Sequence, residues 1–333
     1  MTQPLIVFSH GNSFPACTYR VMLEAVRARG FRVEAIDKFG HDPRYPVTDN
    51  WPHLVQQLTD FASPLAAQSG PVFLVGHSLG GILSMMVAAK HPELVRGVVL
   101  LDSPMLGGWK AKLLKTVKRV PGAEVFSPAA ISRKRRTTWA SEAEVMDHFQ
   151  SKKLFAKWHP QVLQDYVKYG THDEQTAQGT RRVLSFDRDV ESAIYNGLPD
   201  HLETYFKRHP LKCKAALVGG LQSRELKQVG LDFSRRVTHG RVMKIDGTHL
   251  FPMEHPLVAA AAVHSDLERA VETEKEKEMV DLQADIENQI HEAPLIDGIP
   301  FVMFQTSKRE IQTHNRPIRF HQIQMQANVQ NLF

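Results

Sequence analysis

Short apolar runs alternate with amphipathic stretches over the first hundred residues of the chain. Strand-like runs, rich in Leu, Phe and β-branched residues, occur at Leu5–Ser9, Arg32–Ile36, Val72–Val75 and Gly97–Asp102. Continuous apolar runs without alternation are typical of parallel strands that are buried on both faces. Stretches with helical apolar spacing lie between them, at Tyr19–Arg29, Trp51–Ala62 and Ile82–Lys90. This alternation predicts an α/β fold with a doubly wound, mostly parallel sheet.

The strand-like runs stop between residues 105 and 211, where helical patterns take over. They resume at Ala215–Val218 and Gly240–Ile245, and a helix is expected from Pro256. Because the two late strands complete the sheet that the first half begins, we predict a single core made of residues 1–104 and 212–272. Residues 105–211 are then an inserted helical lid over the carboxyl edge of the sheet. Residues 273–333 form a C-terminal extension to which the sequence assigns no role.

Composition places the chain among ordinary globular proteins, with 42% hydrophobic and 23% charged residues in 333. The chain reaches its first strand within eleven residues, so we expect no leader, and no apolar run approaches the roughly 20 residues of a membrane-spanning helix. Cys17 and Cys213 form neither a disulfide framework nor a metal-ligand spacing. We therefore expect reduced thiols, a cytoplasmic protein, and neither a metal nor another cofactor.

The formal net charge of +5 is concentrated in the predicted lid. Nine basic residues there share a stretch in which Glu124 is the only acid: Lys110, Lys112, Lys115, Lys118, Arg119, Arg133, Lys134, Arg135 and Arg136. Such a run fits nucleic acid, an anionic substrate, a membrane headgroup or simply a solvated face. No nucleic-acid motif accompanies it, so we favour the solvated face and expect no nucleic-acid partner. Nothing in the sequence predicts the oligomeric state.

One short motif carries chemistry, Gly76-His77-Ser78-Leu79-Gly80, a G-x-S-x-G pattern. A buried strand runs into it and an apolar helix leaves it, which is the context in which a strained turn presents a nucleophilic serine. Gly76 and Gly80 would let neighbouring backbone approach closely, and the helix N-terminus favours developing negative charge. We predict that Ser78 is a nucleophile; the alternative is a glycine-rich turn with an incidental serine.

Two further loops follow predicted strands. The first strand ends in His10-Gly11-Asn12, where the backbone amide of Asn12 or Ser13, together with that of Leu79, would form an oxyanion hole. His249, in "IDGTHLFPMEHP" after the last strand, is placed to act as a general base toward Ser78. We assign His77 to the packing of the turn and His10 to the shape of the first loop.

These motifs resemble the α/β-hydrolase superfamily over about residues 4–270: "HGNSF" is similar to its oxyanion loop, "GHSLGG" to its nucleophile elbow and "GTHLFPMEHP" to its histidine loop. The resemblance implies the α/β-hydrolase fold and a Ser-His-acid triad. The chain starts at what is similar to the superfamily's third strand, so we expect a sheet that is shortened at the N-terminus.

The resemblance leaves two positions for the acid. In most members the acid follows the penultimate strand, here "KAALVGGLQSREL", where Gln222 and Ser223 stand and Glu225 is the nearest carboxylate. In others it follows the preceding strand, here "GVVLLDSPM", which ends in Asp102 at the edge where active sites of open α/β sheets gather. We favour Asp102, with Glu225 as the alternative acid; Asp102 could also be a turn cap.

Together these features predict a carboxylic ester hydrolase that works through an acyl-enzyme. A serine nucleophile argues against epoxide hydrolysis and dehalogenation, which resemble this fold but use an aspartate. Hydrolysis of thioester, amide or carbon–carbon bonds stays open, as does a non-catalytic binding protein of the same fold. We expect a small ester-like substrate, apolar or anionic. Six aromatic residues would line its pocket or form the core of the lid, which we favour: Trp109, Trp139, Phe149, Phe155, Trp158 and Tyr166.

Overall fold

The computed structural model describes residues 3–118, 128–177, 179–292, 295–296 and 299–300. Its strands, numbered in chain order, are β1 (Leu5–Ser9), β2 (Arg32–Ala35), β3 (Val72–His77), β4 (Val95–Leu101), β5 (Thr138–Trp139), β6 (Thr171–Thr176), β7 (Gly179–Leu184), β8 (Lys214–Gly220), β9 (Val242–Ile245), β10 (Leu295–Ile296) and β11 (Ile299–Pro300). Its helices are α1 (Arg20–Arg27), α2 (Pro52–Ser69), α3 (Leu79–Lys90), α4 (Gly108–Val117), α5 (Pro128–Arg133), α6 (Glu142–Gln150), α7 (Pro160–Tyr169), α8 (Arg188–Asn196), α9 (Leu202–Arg208), α10 (Arg224–Val229), α11 (Asp232–Val237), α12 (Phe251–Glu254) and α13 (Pro256–Glu292).

The central sheet has six parallel strands in the order β2–β1–β3–β4–β8–β9. The chain first extends the sheet from β1 to β2 and then reverses to add β3 and β4 on the other side. This reversal makes the carboxyl ends of β1 and β3 the switch point at which open α/β sheets bind ligands. The predicted doubly wound, parallel sheet is confirmed, and each of its six predicted strands is present with ends that differ by at most two residues.

Both faces of the sheet are buried, which explains why its strands show no polar alternation. In β1, Leu5 and Val7 pack into the cluster that contains α2 and α3. Ile6 and Phe8 point the other way, into the cluster that contains α1 and the first turns of α13. Each face of this strand therefore needs apolar side chains, as expected for a parallel sheet covered by helices on both sides.

The segment between β4 and β8 is not purely helical. It contains α4 to α9, but also a three-stranded antiparallel sheet in the order β5–β7–β6, so the expectation that strands stop between residues 105 and 211 was wrong. The hairpin of β6 and β7 is held by cross-strand ion pairs, Glu174 with Arg181 and Asp173 with Arg182. Both strands are largely exposed, so they carry no apolar run that would reveal them in the sequence.

The chain divides into two units, Met1–Lys275 and Glu276–Phe333. In the second unit β10 and β11 pair antiparallel. Of the predicted extension from residue 273, the part beyond residue 300 lies outside the described residues. Among the residues that the structure describes, no helix combines the length and apolar character that crossing a bilayer requires.

Candidate active site

Ser78 occupies a sharp turn between β3 and α3. Its backbone has φ +52°, in the left-handed region that non-glycine residues rarely adopt, and its N–H donates to the Leu101 carbonyl at 2.9 Å. A side chain at Gly76 would lie 2.3 Å from the Gly80 backbone, and one at Gly80 would lie 2.0 Å from the Ser9 carbonyl oxygen. Only glycine fits at these two positions, and the turn is pressed against the end of β1.

His249 lies between Ser78 and Asp102 and is within hydrogen-bond distance of both. Its Nε2 is 3.1 Å from the Ser78 hydroxyl oxygen, and its Nδ1 is 2.7 Å from Asp102 Oδ1. A carboxylate can only accept, so Nδ1 carries the proton and Nε2 is left to accept the proton of the serine. The three side chains therefore have the connectivity of a nucleophile, a general base and an orienting acid.

Asp102 directly follows β4 and is fully buried, with an exposure of 0%. Besides His249, it accepts the Gly220 N–H at 2.7 Å on Oδ2 and the Ser223 hydroxyl at 2.7 Å on Oδ1. These donors compensate the carboxylate for lost hydration. The last residue of β8 and the loop after it, where the superfamily usually carries its acid, thus supply hydrogen-bond donors to the carboxylate that follows β4. Glu225 is in the first turn of α10, and no described contact joins it to His249.

Glu254 fixes the loop that carries His249. This carboxylate is buried and accepts both the Thr248 N–H and the Thr248 hydroxyl, each at 2.7 Å. Gln222 Oε1 accepts the neighbouring Gly247 N–H at 2.7 Å. The backbone on the N-terminal side of His249 is therefore held at two points before any substrate binds. Glu254 belongs to the segment GTHLFPMEHP that contains His249. Its role depends on a three-dimensional contact that the sequence did not indicate.

His77 links the oxyanion loop to the histidine loop. Its Nε2 lies 2.8 Å from the backbone carbonyl oxygen of His249, and its Nδ1 lies 2.7 Å from the Tyr19 hydroxyl, which in turn accepts the Gly11 N–H at 2.9 Å. The carbonyl must accept, so Nε2 carries the proton and the Tyr19 hydroxyl donates to Nδ1. The sequence suggested that His77 only packs the turn. In the structure it also anchors the backbone of His249.

Burial keeps both His77 and His10 neutral. Loss of hydration, with a smaller contribution from His249, lowers the pKa of His77 from 6.5 to about 3. Burial likewise lowers the pKa of His10 from 6.5 to about 4. His10 donates from Nδ1 to the Gly11 carbonyl and accepts the Phe39 N–H at Nε2, both at 2.8 Å. The predicted role of His10 in shaping the loop agrees with these contacts.

These lowered pKa values predict a loss of stability in acid. As the pH falls below 6.5 the unfolded chain binds protons at His77 and His10 while the folded chain does not, so the free energy of unfolding decreases. Each histidine contributes a slope of about 1.4 kcal/mol per pH unit down to its folded pKa. The free energy of unfolding of His77→Gln is measured with urea from pH 6.5 to about 4. Its decrease with falling pH should be less steep than that of the wild type, by the equivalent of about one bound proton. An unchanged slope would contradict the neutral, buried His77.

The predicted oxyanion hole lies between β1 and α3. The Phe14 N–H donates to the Gly11 carbonyl at 3.2 Å, which closes a turn with Asn12 and Ser13 at its centre and gives Ser13 a φ of +80°. Leu79 is the first residue of α3, so its amide belongs to the helix N-terminus beside Ser78. The Leu79 amide thus adjoins Ser78, and the role of both amides as oxyanion donors stays a prediction.

Glu191 ties the inserted segment to this turn. It lies on α8, is 5% exposed, accepts the Ser13 hydroxyl, and its backbone carbonyl accepts the Asn12 side-chain amide at 3.1 Å. Arg135 balances its charge at 3.0 Å, and the Ser132 hydroxyl donates to it at 2.9 Å. Arg135 belongs to the basic stretch, and its buried ion pair with Glu191 could not be predicted from the sequence, since the partners are far apart in the chain.

Some of the remaining residues of the basic stretch are paired with acidic side chains. Arg136 pairs with Glu144 at 2.6 Å and Lys118 pairs with Asp200 at 3.4 Å, while Arg119 lies outside the described residues. One cluster, which also contains residues of β1, α1 and α13, buries five of the six predicted lid aromatics: Trp139, Phe149, Phe155, Trp158 and Tyr166. Trp109 is the exception. In the described parts of the chain, no group of three or more His, Cys, Asp or Glu side chains is arranged to hold a metal ion.

Comparison with known proteins shows which family and which relatives this chain is similar to. The model of the alpha/beta hydrolase family matches residues 6–263. A pyrethroid hydrolase from Sphingobium wenxiniae is 34% identical over 107 residues, which cover 31% of this chain and 37% of that protein. A monoglyceride lipase homolog from Monkeypox virus is 26% identical over 57% of this chain and 74% of its own length. The chain thus spans little more than a third of the first of these relatives.

The solved structure of E-2-(acetamidomethylene)succinate hydrolase superposes with a TM-score of 0.62 at 20% identity, covering 80% of this chain and 91% of the other. At this level of identity the similarity concerns the fold alone.

Proposed function

Because this chain belongs to the alpha/beta hydrolase family, we propose that it is a serine hydrolase that cleaves carboxylic esters through an acyl-enzyme intermediate. The observation that carries the proposal is the hydrogen-bonded chain from Asp102 through His249 to Ser78, with distances of 2.7 and 3.1 Å. A serine whose hydroxyl meets the free nitrogen of an oriented histidine is an activated nucleophile.

In the first half-reaction, the Ser78 oxygen attacks the ester carbonyl while His249 Nε2 takes the serine proton. Asp102 stabilises the imidazolium that forms, and the amides of Asn12 and Leu79 donate to the negatively charged oxygen. Collapse of the tetrahedral intermediate breaks the ester bond, and His249 gives its proton to the departing alcohol. Water then attacks the acyl-enzyme with His249 again as base, which releases the acid and restores Ser78.

The site favours an enzyme over a non-catalytic binding protein of the same fold. A buried carboxylate, an oriented histidine and a strained serine are each costly to maintain, and together they serve nucleophilic attack. Esters are favoured among acyl substrates because an alcohol is a better leaving group than an amine. The viral relative, a monoglyceride lipase homolog by name, agrees with this choice. Thioesters use the same residues and are the second candidate.

Covalent labelling tests the proposal directly. The full-length protein is treated with a fluorophosphonate probe, digested and mapped by mass spectrometry, and its hydrolysis of p-nitrophenyl esters of increasing acyl length is measured. We expect one modified residue, Ser78, and hydrolysis that disappears as labelling proceeds. The buried serines Ser84 and Ser103 serve as internal controls and should stay unmodified. A wild-type protein that neither reacts with the probe nor cleaves any ester of the series would refute the proposed ester hydrolase.

A further inference from the structure

Helix α4 exposes an apolar stripe to the solvent. Trp109, Leu113 and Val117 are 69%, 53% and 40% exposed, although they are large and apolar. They stand four residues apart, so they lie on one face of the helix. Ala111, on the opposite face, is buried at 6% exposure and packs toward the protein. An exposed apolar stripe on a packed helix marks an interaction surface.

The charged residues of α4 itself are all lysines. Residues 105–118 contain four lysines and no acidic residue. Two of these lysines are committed to the protein, because Lys110 donates to the Gln228 and Val229 carbonyls and Lys118 pairs with Asp49 and Asp200. These contacts fasten α4 near both ends. Lys112 and Lys115 are exposed and have no described partner. Lys112 stands three residues after Trp109 and borders the apolar stripe, as Lys110 does on the other side, whereas Lys115 lies on the side of the helix that carries Ala111.

We propose that α4 docks this protein on an anionic lipid surface. A tryptophan and two aliphatic side chains on one face, flanked by lysines, are the composition of a helix that lies in the plane of a membrane interface. Lysine stems bury along apolar surface while their ammonium groups reach lipid phosphates, and tryptophan favours the headgroup region. A protein partner would have to offer an apolar groove rimmed with acids, whereas an anionic bilayer offers both properties over its whole surface.

Docking through α4 would bring the carboxyl edge of the sheet close to the lipid. The helix begins shortly after Asp102, and its N-terminal residue Gly107 packs against Phe233 of α11. The inference does not rest on the proposed ester hydrolysis, because docking uses no residue of the candidate active site. Ser78→Ala should bind lipid as the wild type does.

The tryptophans of the chain make a specific test available. Trp51, Trp139 and Trp158 are 1%, 2% and 5% exposed, so Trp109 is the one tryptophan of the four whose environment a lipid surface can change. The full chain is titrated with phosphatidylcholine vesicles that contain or lack phosphatidylserine. We expect a blue shift of tryptophan emission and quenching by brominated lipid with the phosphatidylserine vesicles. Co-sedimentation should weaken as salt is raised.

Paired variants separate the stripe from non-specific attraction. Lys112→Gln should weaken partitioning about fivefold, because a lysine near an anionic surface contributes about 1 kcal/mol. The control, Lys153→Gln, removes the same charge from an exposed site elsewhere and should change partitioning less than about twofold. Leu113→Ser should reduce the partitioning without changing the salt dependence, and Leu154→Ser, at a site 51% exposed, is its control.

Three results would overturn the proposal. The first is that the wild-type protein does not bind vesicles containing phosphatidylserine at low salt. The second is equal losses from the α4 variants and their controls, which would indicate non-specific attraction. The third is a wild-type protein that self-associates and becomes monomeric in Leu113→Ser, because the stripe would then be covered by a second copy of the chain.

Discussion

Ser78→Ala should hydrolyse p-nitrophenyl esters about 10⁶-fold more slowly in kcat than the wild type. The change removes the hydroxyl that lies 3.1 Å from His249 Nε2, so no acyl-enzyme can form. Residual turnover would come from water activated by His249 beside the oxyanion donors. Steady-state kinetics and loss of fluorophosphonate labelling measure the effect.

Ser84→Ala is the matched control for Ser78→Ala. Ser84 lies in the same helix, α3, is fully buried, and donates its hydroxyl to the Gly80 carbonyl at 2.7 Å. It has no contact with His249, so its removal should leave kcat within a few-fold of the wild type. If the two variants lost activity equally, the loss would reflect disturbance of the turn and the nucleophile would have to be sought elsewhere.

Asp102→Asn should lower kcat about 10⁴-fold while the protein stays folded. An asparagine that donates its side-chain N–H to His249 Nδ1 forces the imidazole proton onto Nε2, where it can no longer accept the Ser78 proton. Because asparagine has almost the same shape, the packing around the Gly220 N–H and the Ser223 hydroxyl is disturbed little. KM should change much less than kcat, and a thermal unfolding curve checks that the variant is folded.

Glu225→Gln makes the same chemical change in the alternative acid. Glu225 is in the first turn of α10 and makes no described contact with His249, so the variant should keep nearly full activity. Mild and equal losses from both variants would remove Asp102 from the proposed triad. A large loss from Glu225→Gln alone would require the loop after β8 to rearrange when substrate binds.

The sheet was predictable because each strand carries its own signal. Val7 and the other residues of β1 are all buried, whichever face of the sheet they point to. The strand could therefore be predicted from its unbroken apolar run. The small sheet of the inserted segment carries no such signal. Its β6 reads Thr-His-Asp-Glu-Gln-Thr and is stabilised by charges on β7 that become partners only after the hairpin forms. Pairing between exposed polar strands depends on tertiary contacts, and no local sequence pattern predicts it.

The candidate site was predictable where a motif fixes local geometry. The strained turn at Ser78 follows from the glycines around it, and His249 from its place after the last strand. The choice between Asp102 and Glu225 could not be made in the same way, because it depends on which of two neighbouring loops reaches His249. The contacts of His77, Glu191 and Glu254 also required the structure, since each of these polar groups is buried against partners that only folding brings close.

The position of the inserted segment has a consequence for how such a protein can change. Leu101 of β4 and Val218 of β8 are paired neighbours in the sheet, yet more than a hundred residues separate them in the chain. The entropy of closing such a loop grows only with the logarithm of its length, so even doubling it would cost about 0.6 kcal/mol. The sheet that holds Ser78, Asp102 and His249 can therefore tolerate large insertions, deletions or replacements at this one site. Sequence and length can diversify there while the arrangement of Ser78, Asp102 and His249 is preserved.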